Sequence, residues 1–219
     1  QHLPAPVGPP LVTNEPRPSG SAPAPATGSA KADCASPGPS HRFGMLHWDE
    51  RYGATGDYVF GTEPNEFLAA QAALIPPGPV LCLAEGEGRN AVFLAGRGHA
   101  VTAVDQSAVG LEKARRLAAL RGVSVSMVQA DLADFPIGPG PWSGIVAIFA
   151  HLPVALRRRV NAQIVAALRP GGIYISEVYA PRQLEFGTGG PKDVSLLVLL
   201  ADVCAELRSE ERRVGKECL

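Results

Sequence analysis

The sequence contains no apolar run long enough to cross a membrane. A helix needs about 20 consecutive apolar residues to span a bilayer, and the run Leu196–Leu200 near the end of the chain is far shorter. We interpret this run as part of a buried helix and expect no membrane partner. The first residues also lack the basic start and apolar core of a secretory signal.

Cysteine pairs and a strong net charge are missing as well. The four cysteines, Cys34, Cys82, Cys204 and Cys218, show no Cys-x-x-Cys spacing, so the sequence predicts no metal site and no disulfide framework, and it fits a reducing cytoplasm. A net charge of −1 creates no overall field that would attract nucleic acid. The basic run 157–159 is interpreted as the solvated face of a helix, because apolar residues recur beside it at helical spacing.

The two ends of the chain differ in composition from its middle. Residues 1–43 are rich in Pro, Ala, Gly and Ser and cannot bury enough apolar surface to fold, so we predict disorder. The chain starts with Gln. Translation of upstream DNA and a functional tail are therefore equally good explanations of these residues. Residues 208–219 lack an apolar period and look like a translated sequencing adapter, so we exclude them. One domain is predicted over residues 44–207.

Residues 79–106 form the part of the sequence around which the rest is organised. Strand 80–83 is apolar on both faces, a glycine turn follows, and helix 89–95 leads to a second strand that ends on Asp105. Units of this kind cradle cofactors that contain adenosine. The glycines let the backbone approach the ligand, and the terminal carboxylate can accept both ribose hydroxyls.

The charges of the glycine turn favour one class of cofactor. The pattern Gly86-x-Gly88-x-x-Ala91 fits a loose dinucleotide fingerprint, which leaves a nicotinamide-dependent oxidoreductase as an alternative. Diphosphates bind at helix N-termini because amide dipoles favour negative charge there. Glu85 and Glu87 would repel a diphosphate unless they point away, for example if Glu87 faces water. S-adenosylmethionine carries an ammonium and a sulfonium, so the acidic turn favours it.

Apolar periodicity and turn residues predict the remaining elements. A helix entered near 62–64 carries an apolar stripe of Phe67, Leu68 and Leu74, and Ser107 caps a helix that ends at 121–122. Further predicted strands are 123–128, 145–149 and 173–178, and further predicted helices are 153–168 and 194–207. The alternation of strands and helices predicts an α/β fold with a mostly parallel sheet.

Five segments resemble the successive motifs of class I S-adenosylmethionine-dependent methyltransferases. They are VLCLAEGEGRNAVFLA, VTAVDQS, ADLADF, IVAIFAHLP and LRPGGIYISEVY. Over residues 48–207 the chain resembles small bacterial members of the tellurite-resistance type. The resemblance implies a three-layer Rossmann-like sandwich, S-adenosylmethionine as the cofactor and methyl transfer to a small-molecule acceptor. Two positions depart from the pattern, because Cys82 stands where an acidic residue is usual and Ala84 where the first loop glycine is usual.

The resemblance also implies which residues contact the cofactor. They are Ala84, Glu85, Gly86, Gly88, Asn90, Asp105, Gln106, Asp131, Leu132 and Phe149. Within this set, residues 85–88 would hold the methionine part, Asp105 the ribose and Asp131 the adenine amino group. For Asp131, the alternative is that its side chain caps the short turn before Phe135.

Aromatic residues and one histidine are predicted on the acceptor side. In the family, the segment before the first helix closes over the cofactor, so Tyr52, Tyr58 and Phe60 are candidates to line the methyl site, where aromatic faces attract a sulfonium. The alternative is that these rings seat the segment on the sheet. Tyr179 and the loop after it are further candidates for acceptor contacts. His151 is interpreted as a base or a polar contact to the acceptor, or alternatively as a cap of the following helix.

If residues 208–219 are an artefact, the fold is cut short. The resembling enzymes end with an antiparallel strand pair that covers the fifth strand, and no such hairpin follows here. We therefore expect five strands, an exposed apolar sheet edge and a tendency to aggregate. A truncated cofactor-binding module without activity stays as an alternative, and the acceptor and the oligomeric state stay open.

Overall fold

The computed structural model describes residues 47–138, 140–187 and 189–207. The helices are α1 (47–53), α2 (Glu66–Gln71), α3 (Arg89–Gly96), α4 (Ala108–Leu120), α5 (Val154–Ala167), α6 (Gln183–Phe186) and α7 (Leu200–Glu206), with short 3-10 helices at Ala72–Leu74 and Val194–Leu196. The strands are β1 (Pro79–Leu83), β2 (Ala100–Asp105), β3 (Val125–Gln129), β4 (Trp142–Ile148) and β5 (Leu168–Glu177). The predictions for residues 1–43 and 208–219 fall outside the described ranges.

The strands form one sheet in the order β3-β2-β1-β4-β5, and every neighbouring pair is parallel. Central strand β1 places Cys82 between Ala103 of β2 and Val146 of β4. The chain builds β2 and β3 on one side of β1 and then crosses to β4 on the other side. Such a switch leaves a crevice at the carboxyl ends of the strands, where open α/β sheets bind ligands. The predicted Rossmann-like α/β class is confirmed.

Helices cover both faces of the sheet because successive strand residues point to opposite sides. Val80 and Cys82 pack with α2 and α3, whereas Leu81 and Leu83 pack with α5. The core of α4 includes the predicted stripe Leu111, Ala114 and Ala118, all buried. The two apolar faces of β1 therefore explain why its sequence is apolar at consecutive positions.

The first predicted helix starts and ends at other residues than expected. Asn65 caps α2, since its Oδ1 accepts the N–H of Leu68, so the helix begins after Pro64 and not near Thr62. α2 ends at Gln71 and a 3-10 helix follows, which turns Leu74 away from the core. Leu74 is 59% exposed, so its place in the predicted apolar stripe is wrong.

Two predictions in the last third of the fold are also wrong. β5 begins at Leu168, five residues before the predicted start at Ile173, because a register shift opposite residues 142–144 accommodates the Arg169–Gly172 stretch within the strand. The single helix predicted over residues 194–207 is interrupted, since Leu197 and Leu199 are extended between the 3-10 helix and α7.

The predicted solvated face at 157–159 is only partly solvated. Arg158 and Arg159 are exposed, but Arg157 is 8% exposed and forms an ion pair with Glu206 of α7, with Nη2 2.9 Å from Oε1. The helical spacing was predicted correctly, but Arg157 is buried because it pairs with Glu206, 49 positions later in the chain.

Within the described ranges, no helix combines the length and the apolar character that crossing a bilayer requires.

The outer side of β5 faces no other strand among the described residues, since β5 pairs with β4 alone. Whether that edge causes aggregation stays a prediction.

Candidate functional site

The glycine turn between β1 and α3 is filled by the protein's own atoms. Gly86 and Gly88 have positive φ angles of 61° and 89°, which favour glycine. A Cβ on Gly86 would lie 2.4 Å from Tyr52 Oη, and a Cβ on Gly88 would lie 2.5 Å from the Cβ of Ala114. The predicted close approach at these glycines therefore involves side chains of α1 and α4. Ala84 also has a positive φ, 51°, at the position where glycine is usual.

Glu85 caps α3 from within the turn. Its Oε1 accepts the N–H groups of Asn90, at 2.9 Å, and Ala91, at 2.8 Å. Burial raises the pKa of Glu85 from 4.5 to about 7, although these two hydrogen bonds oppose the shift. The Glu85 carboxyl group thus occupies the N–H groups of the helix N-terminus where a diphosphate would otherwise bind.

Asp105 at the end of β2 ties the turn to the start of α4. Its Oδ2 accepts the N–H of Gly86 and its Oδ1 accepts the N–H of Ser107, each at 2.8 Å. Burial raises the pKa of Asp105, hydrogen bonds lower it, and the nearby Asp49 raises it further. Asp49 of α1 accepts hydrogen bonds from Ser107 Oγ and from the N–H of Val109. Asp49 is a residue that the sequence analysis missed.

Glu87 does not face water. Its side chain is 3% exposed and its Oε1 lies 2.9 Å from Nζ of Lys113, whose side chain is 6% exposed. The other oxygen, Oε2, accepts the N–H groups of Val59 and Phe60. Of the two acidic residues in the turn, Glu87 is therefore neutralised by a cation within the protein, and Glu85 has a helix N-terminus as its partner.

The three aromatic residues of the segment before α2 take different positions. Tyr52 is buried against Gly86 and Gly110, and its ring stacks on Trp48 with centroids 5.4 Å apart. Tyr58 donates its hydroxyl to the backbone oxygen of Lys113, away from the turn. Phe60 is 44% exposed. Tyr52 therefore lies at the glycine turn, whereas Tyr58 contacts α4.

Phe149, His151 and Tyr179 form a group of nearly parallel rings at the ends of β4 and β5. Tyr179 lies 4.9 Å from Phe149 and 5.5 Å from His151, both at 13°. Phe149 and His151 are 6.2 Å apart, so the three rings form one compact group. Phe149 has a positive φ of 56°, a conformation that is strained for an aromatic residue.

His151 does not behave as a helix cap. Its Nδ1 is buried and has no hydrogen-bond partner. Burial lowers its pKa from 6.5, and a hydrogen bond with the backbone of Leu196 partly opposes the shift. The imidazole is thus neutral at pH 7, with one unpartnered nitrogen beside Phe149 and Tyr179.

A cleft of about 580 Å³ opens between the segment before α2 and the sheet. Residues 60–67 line one side, and Arg89, Phe149 and Glu177 line the other. Asn65 Nδ2 donates to Glu177 Oε2 at 2.7 Å across the end of β5. This bond fixes α2 beside β5, so the cleft is bounded by elements that the structure holds together.

The remaining predicted cofactor residues take structural positions around the crevice. Asp131 Oδ1 accepts the N–H of Ala133, which is the turn-capping geometry of the alternative interpretation. Leu132 is in the core, and Asn90 Oδ1 accepts the N–H of Asn65. The backbone oxygen of Gln106 accepts from Gln129 Nε2. A further role of Asp131 in adenine binding stays a prediction.

Comparison with known proteins identifies the central part of the chain. Residues 80–172 match the family model described as a methyltransferase domain. A 2-heptyl-1-hydroxyquinolin-4(1H)-one methyltransferase from Mycobacteroides abscessus is 33% identical over 121 residues, which are 54% of this chain and 53% of that protein. The uncharacterized methyltransferase YodH of Bacillus subtilis is 28% identical over 128 residues, 57% of this chain and 53% of its own. This chain spans about half the length of both relatives.

The solved structures agree on the fold. A TehB-like S-adenosylmethionine-dependent methyltransferase from Corynebacterium glutamicum superposes with a TM-score of 0.51 and 18% identity, covering 78% of this chain and 82% of that one. At this level of identity the likeness concerns the fold. Residues 80–172 of this chain are therefore similar to methyltransferase domains, and the chain has the Rossmann-like fold of the Corynebacterium glutamicum structure.

Proposed function

We propose that this chain transfers a methyl group from S-adenosylmethionine to a small-molecule acceptor. The observation that carries the proposal is the capping of α3 by Glu85, which accepts the N–H groups of Asn90 and Ala91. The amides that would bind a diphosphate are already bonded to the Glu85 carboxyl group. The turn therefore favours a cationic ligand over a nicotinamide dinucleotide.

The side chains around the turn fit the charges of S-adenosylmethionine. Burial raises the pKa values of Glu85 and Asp105, which means that both carboxylates lack a full positive counterpart in the protein. A sulfonium and an ammonium would provide that counterpart. A carboxylate oxygen has two lone-pair directions, so Asp105 can accept ribose hydroxyls in addition to its bonds from Gly86 and Ser107.

Under this proposal, Glu85 and the turn bind the methionine part, Asp105 the ribose, and Asp131 with Leu132 the adenine. S-adenosylmethionine supplies an already activated methyl group. The residues of the chain position the acceptor and exclude water. The cleft beside Phe149 is the proposed entrance for the acceptor, because it opens at the carboxyl ends of β4 and β5.

His151 is the proposed base for an acceptor that reacts through a protonated nucleophile. Its lowered pKa keeps the imidazole neutral at pH 7, and the unpartnered Nδ1 can accept a proton. Tyr179 stacks on the same imidazole, with ring centroids 5.5 Å apart.

A planar hydroxylated heterocycle is the acceptor class to test first. The Mycobacteroides abscessus relative is named for a hydroxyquinolone, and in this chain Phe149, which lines the cleft, stacks with Tyr179 in nearly parallel planes. Aromatic rings stack favourably at such centroid distances. Tellurite-type oxyanions and thiols, which the sequence resemblance suggests, belong in the same panel.

Calorimetry with the full chain tests the cofactor. We expect S-adenosylmethionine and S-adenosylhomocysteine to bind and NADH not to bind. Binding of NADH without binding of either adenosyl compound would overturn the proposal. Transfer of a labelled methyl group to the acceptor panel then separates an enzyme from a binding module that does not turn over.

A further inference from the structure

A buried ion pair and its hydrogen bonds link residues 55–60, in the segment before α2, to the glycine turn and α4. We call residues 47–65 the lead segment. Nζ of Lys113 donates to the backbone oxygens of Thr55, at 3.0 Å, and Asp57, at 2.6 Å, and to Glu87 Oε1, at 2.9 Å. An ammonium has three N–H donors, so Lys113 has no donor left for water or for a ligand.

Glu87 completes the attachment from the turn. Its Oε2 accepts the N–H of Val59 at 2.8 Å and that of Phe60 at 3.4 Å. Apart from the bond between Glu87 and Lys113, every one of these hydrogen bonds ends on residues 55–60. The pair therefore joins the turn and α4 to the backbone of the lead segment, and both charges depend on that segment for their remaining partners.

The attached segment covers the part of the turn that leads into the proposed cofactor site. Tyr52 lies against Gly86 and Gly110, where added Cβ atoms would meet its ring and hydroxyl at 2.4–3.0 Å. Asp49 accepts from Ser107 and Val109 beside Asp105. Loss of the attachment would thus free the residues that lie on the Gly86 backbone and next to the Asp105 carboxylate.

We propose that Glu87 and Lys113 are positioning residues that hold the lead segment closed over the glycine turn and thereby slow the release of the cofactor. The inference rests on the proposed function for the identity of the ligand, whereas the contacts that close the segment lie within the chain itself. A buried charge without its partner is strongly unfavourable. When one charge is removed, the other regains water by leaving the interior, and residues 55–60 leave with it.

Trp48 provides a direct signal for closure. The chain has two tryptophans, so Trp142→Phe leaves Trp48, which stacks on Tyr52, as the sole fluorophore of its kind. In that background and without ligand, we expect Glu87→Gln and Lys113→Met to raise the acrylamide quenching constant of Trp48 about twofold. Trypsin should cleave after the exposed Arg51 about tenfold faster.

Arg121→Met is the matched control. Arg121 at the end of α4 pairs with Glu63 of the lead segment at 2.7 Å, but both side chains are largely exposed, at 49% and 79%. An exposed pair contributes little, so quenching and cleavage should stay at the parent values. Equal changes in the control and in the buried-pair variants would contradict a specific role for the buried pair.

The ligand-side measurement is the dissociation rate of S-adenosylhomocysteine. We expect Glu87→Gln to raise it about tenfold and to change the association rate much less. If Lys113→Met does not fold, the double variant Glu87→Leu with Lys113→Met replaces both charges by apolar groups, which buried pairs often tolerate. It should fold and still show increased quenching of Trp48, because the backbone groups of residues 55–60 lose the partners that Glu87 and Lys113 provide.

The outcomes separate the two proposals. Unchanged Trp48 quenching and cleavage in folded variants would refute the positioning role, whatever binds. Increased quenching and cleavage without any binding of S-adenosylhomocysteine to the parent chain would refute the proposed function and leave the closure by Glu87 and Lys113 standing. Binding with parent dissociation rates in an opened variant would refute the effect on release.

Discussion

Glu85 is a partly buried acid whose negative charge is unfavourable in the folded protein. Its Oε1 accepts the N–H groups of Asn90 and Ala91, and an uncharged carbonyl oxygen could accept the same two bonds. Burial raises the pKa of Glu85 to about 7 although the two hydrogen bonds and the nearby Arg89 lower it, so the ionised form is disfavoured. The carboxylate therefore stabilises a bound cation more than it stabilises the ligand-free protein.

The pH dependence of stability should reveal this cost. Between pH 4.5 and about 7 the folded chain holds a proton on Glu85 that the unfolded chain has released, so the free energy of unfolding falls as the pH rises across that window. Glu85→Gln removes the loss. Between pH 4.5 and pH 8, we expect the free energy of unfolding of the variant to rise relative to that of the parent chain by up to about 3 kcal/mol. Urea unfolding without ligand measures this difference.

Glu112→Gln is the control for this measurement. Glu112 is an acid on the exposed face of α4, where its side chain is 53% exposed and pairs with Arg115. Its replacement should leave the pH profile parallel to that of the parent chain. A Glu85→Gln profile that also runs parallel would show that burial does not raise the pKa of Glu85.

Among the helices, α7 depends on one acid for its position against α5. Glu206 accepts from Nε and Nη2 of Arg157 and from Nδ2 of Asn161, at 2.8–3.1 Å. Burial raises the pKa of Glu206, but the bonds from Arg157 and Asn161 outweigh burial and lower it. Because the Arg157 side chain is only 10% exposed, the ion pair is mostly shielded from solvent.

Removal of one partner of this pair should be far more harmful than removal of both. We expect Glu206→Leu to lower the free energy of unfolding by about 3–5 kcal/mol, because it leaves the Arg157 guanidinium buried without its anion. The double variant with Arg157→Leu should recover most of that loss. Urea unfolding of the full chain measures both, and Arg158→Gln, whose side chain is 70% exposed, should cost less than about 1 kcal/mol.

The sequence predicted those elements whose signals are local. Apolar runs located β1 and β4, and Ser107 marked the start of α4, because strand burial and helix capping depend on adjacent residues. The strand start at Leu168 was missed, since Pro170 and the glycines after it normally end structure, and only pairing with Trp142 extends the strand across them. Arg157 was misplaced because its partner comes from a distant helix.

In the candidate site too, contacts with local signals were predicted and contacts between distant residues were missed. Glu85, Gly86 and Asp105 were predicted together, and the structure places them together through the bond from Gly86 to Asp105. The burial of Glu87 was missed, since no periodicity or motif indicates that its cation is 26 positions away on α4. Tertiary ion pairs leave no short-range pattern in a sequence.

For the molecule as a whole, binding of the proposed cofactor should raise the stability of the folded chain. A ligand that binds only the folded chain at about 100 times its Kd adds about 2.7 kcal/mol of stability. For a chain of this size, that raises the melting temperature by roughly 5–10 °C. We expect this shift with S-adenosylhomocysteine and no shift with NADH, measured by differential scanning calorimetry. A shift with NADH alone would count against the methyl donor.

The complete hydrogen bonding of Lys113 has a chemical consequence. A primary amine reacts with acylating reagents through a free lone pair, and the Nζ of Lys113 is enclosed and bonded to three oxygens. Acylation at this position therefore requires molecules in which residues 55–60 have lifted away. The rate at which a lysine-selective reagent labels Lys113 would therefore report how often residues 55–60 open. A bound adenosyl compound should lower this labelling rate.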